Sequence, residues 1–178
     1  VIDGQEEARL SAQGVLLGWP GSYGLVCDIG GSSMELADLF EGRVGRRVTS
    51  ALGPLKLREI KSKKKRRAYI KDTVADLFEQ MGRETSKRLF LVGGSWRAIA
   101  RIDMERRGYP LTVLHEYRMT PRRVAKTLKY IEESDLSELR ARCGISDSRM
   151  SLVPYAVHVV REVVARFKPK DITISSYG

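Results

Sequence analysis

The sequence predicts a mixed α/β domain in which a three-stranded antiparallel meander leads into alternating helices and strands, giving a mixed sheet flanked by helices. Three observations carry this. Short apolar runs at 24–29, 34–40 and 43–50 are separated only by tight glycine-containing turns. Later segments alternate between 3.6-residue apolar spacing and short apolar runs. The chain has 178 residues, 42% hydrophobic and 30% charged, which suits one soluble domain with a core of its own.

The opening reads as a turn entering a helix. Asp3 can cap it, and Glu6 stands three residues on, as a capping box requires. Ala8, Ala12, Val15 and Leu16 mark one buried stripe, and Leu17 to Gly21 ends the helix. Gly24 to Ile29 is a strand, Gly30-Gly31-Ser32-Ser33 a turn, and Met34 to Phe40 the second strand. Glu41-Gly42 turns into Arg43 to Ser50, where Val44 and Val48 are the inward candidates. Ile70, Val74, Leu77, Phe78 and Met81 follow helical spacing. Arg88 to Val92 is a strand, Gly93-Gly94 a break, and Ser95 begins a helix with Trp96, Ile99 and Ala100 inward. Thr120-Pro121 caps and opens another helix, with Val124, Leu128 and Ile131 as its stripe. A short helix at Leu136 to Arg142 follows. Pro154 opens the last helix, with Val157, Val160, Val164 and Phe167 facing in, and Asp171 to Ser175 is a final strand.

Net charge is +10, but it is concentrated. Lys56 to Arg67 holds eight basic residues and one acid, Glu59, leaving +3 for the rest of the chain. A general nucleic-acid-binding reading therefore loses most of its support. The run would serve a polyanionic ligand, but a solvated charged loop is the commoner explanation of such a run. Cys27 and Cys143 are too few for a disulfide framework or a zinc site, and Cys27, inside a strand, reads as a buried inert thiol. No apolar run is long enough to span a membrane, so a reduced, cytoplasmic protein is expected. His115 and His158 read as packing or boundary residues, as do Trp19 and Trp96.

The strongest chemical signal is Asp28-Ile29-Gly30-Gly31-Ser32-Ser33-Met34-Glu35, between two strands. Two glycines permit positive φ and a ring of N–H groups that cradles phosphate oxygens. Asp28 and Glu35 flank that turn, where a divalent cation would need hard oxygen ligands. A tight hairpin with Asp28 bonded to turn amides accounts for the same residues. A second turn, Val92-Gly93-Gly94-Ser95, leads from strand to helix, and its helix dipole also favours an anion. Two such turns together favour phosphate.

These segments resemble one family. Asp28 to Leu36 is similar to the Asp-Ile-Gly-Gly-Gly-Ser-Thr-Glu-Leu motif of exopolyphosphatases and guanosine pentaphosphate phosphohydrolases. Ile2 to Leu10, Leu52 to Leu57, Val92 to Arg101 and Ile174 to Gly178 resemble further segments of it, in the same order. The resemblance implies the second lobe of the actin, Hsp70 and sugar-kinase superfamily, with a ribonuclease-H-like sheet. It implies that Glu7 is the base activating water for attack on a terminal phosphorus. It makes Asp28 and Glu35 the acids that hold Mg²⁺ or place water, and gives Glu6 no catalytic role. Gly30, Gly31, Ser32 and Ser33 would form one phosphate loop and Gly93, Gly94 and Ser95 the second. Lys56 and Arg97 become candidates for contact with substrate phosphate. The implied substrates are polyphosphate or guanosine pentaphosphate.

Two departures from the motif bear on affinity: Ser32 stands where the family has a third glycine, and Met34 where it has threonine. The family's Asp-x-Gly-Ser-Asn-Ser loop, on its N-terminal lobe, does not occur in the sequence. A single-domain C-terminal lobe is therefore expected, inactive as a hydrolase without its N-terminal partner. Two other functions remain open: a kinase-like ATP-binding lobe of the same superfamily, and a non-enzymatic module that binds polyanions or nucleic acid through Lys56 to Arg67. Oligomeric state, a homodimer included, is also open.

Overall fold

Period-two alternation in the meander decides the layers. β1 (Gly24–Ile29), β2 (Met34–Phe40) and β3 (Arg43–Ser50) pair antiparallel in sequence order. Leu25, Cys27, Ile29, Met34, Leu36 and Val48 face the larger core, whereas Val26, Ala37 and Leu39 face a smaller one. The computed structural model of the chain describes residues 2–82 and 87–177. Val1 and Gly178, at the ends of the opening and closing segments, lie outside them.

The smaller core is closed by α1 (Gly4–Gly18), whose Ala8, Ala12 and Val15 are buried against the sheet. Asp3 caps α1 by accepting from the Glu6 N–H at 2.8 Å. The reciprocal half of the capping box does not form, because the Glu6 carboxylate is held by Arg9. The two-residue turn after β2 has positive φ at both Glu41 and Gly42, the type I′ geometry that suits strand twist.

Beyond the meander, α2 (Pro54–Glu59) and α3 (Lys63–Met81) precede β4 (Arg88–Val92) and α4 (Gly94–Arg106). Then come β5 (Arg118–Met119), α5 (Pro121–Glu133), α6 (Leu136–Cys143), α7 (Asp147–Met150), α8 (Val153–Phe167) and β6 (Asp171–Ile174). The sheet order is β3-β2-β1-β4-β6-β5, with β4 parallel to both β1 and β6. Helices α3, α4, α5 and α8 supply most of the larger core, including Val74, Ile102, Leu128 and Val160. The expected mixed α/β sheet flanked by helices is what forms. Three short elements, α2, β5 and α7, are additional to the sequence reading.

The basic run is helical rather than a loop. Lys56 and Arg58 sit on α2, and Lys63 to Arg67 form the first turns of α3 behind the Ser62 cap. No acid stands in the first turn of α3, so the helix dipole opposes these cations. Among the described residues no helix is long and apolar enough to cross a membrane.

Gly53, before α2, locks the meander to the helical layer. Its N–H donates to the Ser32 carbonyl, and Leu55 N–H donates to that of Gly31. A Cβ on Gly53 would lie 2.2 Å from the Ser32 carbonyl carbon and 2.4 Å from the Gly31 oxygen. Both are backbone and cannot swing away. Gly53→Ala is expected to cost about 2 kcal/mol, lowering Tm by roughly 4–8 °C in a thermal melt followed by circular dichroism. An unchanged Tm would mean that the 30–33 turn is free to move.

Candidate functional site

In the sheet, β1 and β4 are parallel neighbours whose connections leave in opposite directions, β1 to β2 on one side and β4 through α4 on the other. Ligands of open α/β sheets bind at the carboxyl ends of strands at such a switch point. Asp28 and Val92 are register partners, so the Gly30–Ser33 and Gly93–Ser95 turns emerge side by side.

Gly93 makes that closeness possible. Its φ is +107°, and a Cβ would lie 2.7 Å from the Ile29 carbonyl oxygen and 2.8 Å from Asp28 Oδ1. Only glycine fits. Gly30 and Gly31 correct the sequence expectation: neither has positive φ among the described residues. Their turn is a wider one, closed by the Gly30 N–H donating to the Ser33 carbonyl at 3.0 Å and buttressed by Leu55.

On the α1 face, alternation brings Asp28, Glu35 and Thr49 together. Asp28 and Glu35 are cross-strand partners in β1 and β2, and Glu35 pairs with Thr49 in β3. Thr49 Oγ1 donates to Glu35 Oε1 at 3.0 Å, and Ser11 of α1 donates to Asp28 Oδ2. Glu35 is 1% exposed and its Oε2 has no hydrogen bond. Burial pushes its carboxyl up to about 7, against the pull of the Ser33 and Thr49 hydroxyls and with help from the charges of Glu7 and Asp28. Burial also raises Asp28, opposed by Ser11 and by the charge of Arg97. Glu7 is thus brought within electrostatic reach of Glu35 by the first turn of α1, which rests on β3 so closely that a Cβ on Gly4 would strike Thr49.

On the other side of the two turns lies a cleft of about 280 Å³ lined by Gly30, Gly31, Gly94, Ser95, Ser148 and Arg149, among others. Arg149 of α7 lies over the second turn, its Nε 3.1 Å from where a Cβ of Gly94 would stand. Arg97 is half-buried; burial and the charge of Arg149 lower its pKa while Asp28 raises it, so it lies within electrostatic reach of both. Ser146, Ser148 and Arg149 are additions to the sequence reading. They lie some 50 residues beyond Ser95, in a short polar stretch behind Gly144 that carries no phosphate-loop pattern, and only the packing of α7 against α4 brings them in. Lys56 is held elsewhere, its ammonium 2.8 Å from Glu59 on an exposed face. Cys27 is buried, and desolvation, then Asp28 and Glu35, push its thiol well above the usual range, which leaves it unreactive. His115 packs against the Trp19 ring at a tilt and against Tyr177 edge-on, and burial lowers the pKa of half-buried His158.

A hard divalent cation fits the acids. Asp28 and Glu35 offer two carboxylates, one with a buried unbonded oxygen, and no group of three or more ligating side chains occurs among the described residues. One or two carboxylates, completed by water and substrate phosphate, is the ligand set that Mg²⁺ takes.

Comparisons with known proteins bear on this arrangement. The chain matches the model of the Ppx/GppA phosphatase family over residues 1–178. No curated protein matches. Among solved structures, a Ppx/GppA phosphatase of Aquifex aeolicus superposes with a TM-score of 0.83 at 17% identity, over 100% of this chain and 61% of that one. An exopolyphosphatase from Cytophaga hutchinsonii gives a TM-score of 0.84 at 20% identity, over 100% and 61%. An exopolyphosphatase-like protein gives 0.79 at 21%, over 100% and 63%. These identities establish the fold, and the chain spans about three-fifths of the length of these structures.

The raised Glu35 carboxyl has a consequence for stability. Between its ordinary value of 4.5 and about 7, the folded protein keeps a proton that the unfolded chain has released. Its contribution to stability therefore falls as pH rises through that window. Glu35→Gln removes this fall, so the variant should gain on the parent in urea midpoint from pH 5 to pH 8. Parallel midpoints across that range would show that the buried carboxylate ionises without cost.

Proposed function

Because the chain belongs to the Ppx/GppA phosphatase family, we propose that its acids and glycine turns hydrolyse the terminal phosphate of polyphosphate or guanosine pentaphosphate, as part of a two-lobe enzyme. The observation that carries this reading is the pair Asp28–Glu35, in register on neighbouring strands, beside two adjacent glycine turns at the carboxyl ends of β1 and β4. Carboxylates and anion-binding backbone are both needed for phosphoryl transfer to water, a reaction that rests on positioning and charge stabilisation.

In this reading the Gly93–Ser95 turn, at the positive end of α4, and the Gly30–Ser33 turn receive the terminal phosphoryl oxygens. Arg149, over Gly94, and Arg97, beside Asp28, add positive charge where negative charge grows. Mg²⁺ bound by Asp28 and Glu35 would neutralise phosphate oxygens as a Lewis acid. Glu7 accepts a proton from water as its oxygen bonds to phosphorus and the bridging P–O bond breaks; the shortened chain leaves with the bridging oxygen. Ser11 and Thr49 hold Asp28 and Glu35 in orientation. The N-terminal lobe of the family would close the phosphoryl group from its other face, so the 178-residue chain by itself turns over far more slowly than the two-lobe enzyme.

Glu7→Gln keeps shape and removes the base. In the two-lobe enzyme, phosphate release with Mg²⁺ should show kcat lowered by about 10² to 10⁴ with KM little changed. A kcat within a few-fold of the parent would take Glu7 out of the mechanism. Arg149→Ala acts on charge stabilisation instead, and should lower kcat/KM about 10²; undiminished kcat/KM would leave Arg149 with no part in binding phosphate.

A further inference from the structure

The geometry points to a second phosphate-binding site at the far end of α4, a basic pocket that takes consecutive phosphates of an unbranched polyphosphate. Charge counting along the sequence sees one basic run, Lys56 to Arg67, most of which the fold leaves on exposed helical turns, with Arg66 turned inward over Tyr155. Folding assembles another from residues too dispersed to stand out. Arg106 and Arg107 from the end of α4 meet Arg122, Arg123 and Lys126 from the start of α5, around a cavity of about 360 Å³.

Two of these five cations, Arg106 and Arg107, are held by one buried carboxylate. Asp103, with no exposure, accepts from Arg106 at 2.7 Å, Thr127 at 2.6 Å and Tyr117 at 2.6 Å, and Arg107 lies at 4.0 Å. The Tyr117 hydroxyl also accepts from Arg107 at 3.0 Å. Two guanidinium groups are thereby fixed in place before any ligand arrives, which lowers the entropy lost on binding. Arg106 Nε is buried without a hydrogen bond, a donor left over by the network. Arg122 and Lys126 are exposed, with no ion pair among the described residues. The end of α5 is already capped by Thr120, which accepts from Arg123 N–H, so the helix terminus is not what offers the site. Yet three cations stand in its first turns, where the dipole opposes them, and a bound anion would relieve that repulsion.

Arginine forks suit phosphate oxygens, and the pocket lining carries no aromatic ring on which a base could stack. From Gly94 to Arg106 the helix rises about 18 Å, so the pocket is separate from the cleft at the turns. The choice of polyphosphate as occupant rests on the hydrolase reading above; the presence of an oxyanion site does not.

Calorimetric titration of the 178-residue chain with long-chain polyphosphate, at several salt concentrations and without Mg²⁺, tests it. Arg122→Ala/Lys126→Ala, two exposed residues, should weaken binding about tenfold at low salt and flatten the salt dependence by about two contacts' worth. Tm should not fall, because both side chains are exposed and their removal relieves the repulsion at the start of α5. The charge-matched Lys64→Ala/Lys65→Ala should lose much less. Equal losses in the two variants, or none in the first, would overturn the site. So would a single-stranded DNA oligonucleotide losing as much as polyphosphate, which would make the pocket a nucleic-acid contact. Loss of polyphosphate binding in Arg122→Ala/Lys126→Ala, in a protein whose two-lobe form releases no phosphate from polyphosphate, would support the pocket while removing the hydrolase reading.

Discussion

Glu35 is a carboxylate buried at the end of a strand with one oxygen unbonded, and the surrounding structure is arranged about that cost. Leaving such a group unsatisfied takes about 1–3 kcal/mol from stability, and Thr49 and Ser33 offset only part of it. α1 lies across the same face, its small residues Ala8 and Ala12 allowing close approach, and so brings Glu7 into the field of Glu35. A cation held there, as proposed, would have to displace the Glu35 proton and would then neutralise the buried carboxylate.

The second constraint is steric. Gly93 approaches Asp28 and Ile29 so closely that any side chain would part the two turns, and Gly53 does the same for the first turn and α2. Between them they hold the carboxyl ends of β1 and β4 in one place. The Gly93–Ser95 turn at α4 and the acids on the α1 face are then fixed relative to one another by backbone rather than by flexible side chains. For a reaction that depends on positioning, this is the useful kind of rigidity.

Much of this was legible in the sequence because it is periodic. Alternation through Leu25–Ile29 and Met34–Phe40, with glycine turns between, requires a meander and places Asp28 and Glu35 on one face. The stripes of α3, α5 and α8 appear as read, Ile70–Met81, Val124–Ile131 and Val157–Phe167. What escaped was what periodicity does not encode. α2 is too short for a stripe and overlaps the basic run, so its charge hid its helix. The conformation of Gly30 and Gly31 depends on α2 packing beneath them and not on the dipeptide itself. Arg149 at its cleft, and the gathering of Arg106 and Lys126 about one cavity, are products of tertiary contact between α4, α5 and α7.

The central claim is that Asp28 and Glu35 hold a divalent cation beside phosphate bound at the glycine turns. Phosphorus NMR of orthophosphate with the 178-residue chain, Mn²⁺ replacing Mg²⁺, measures this directly, since a paramagnetic ion relaxes only phosphate close to it. The account predicts strong relaxation of the phosphate signal by the protein–Mn²⁺ complex, lost in Asp28→Asn at an unchanged circular-dichroism spectrum. Equal relaxation in the parent and in Asp28→Asn would contradict it, placing the cation elsewhere.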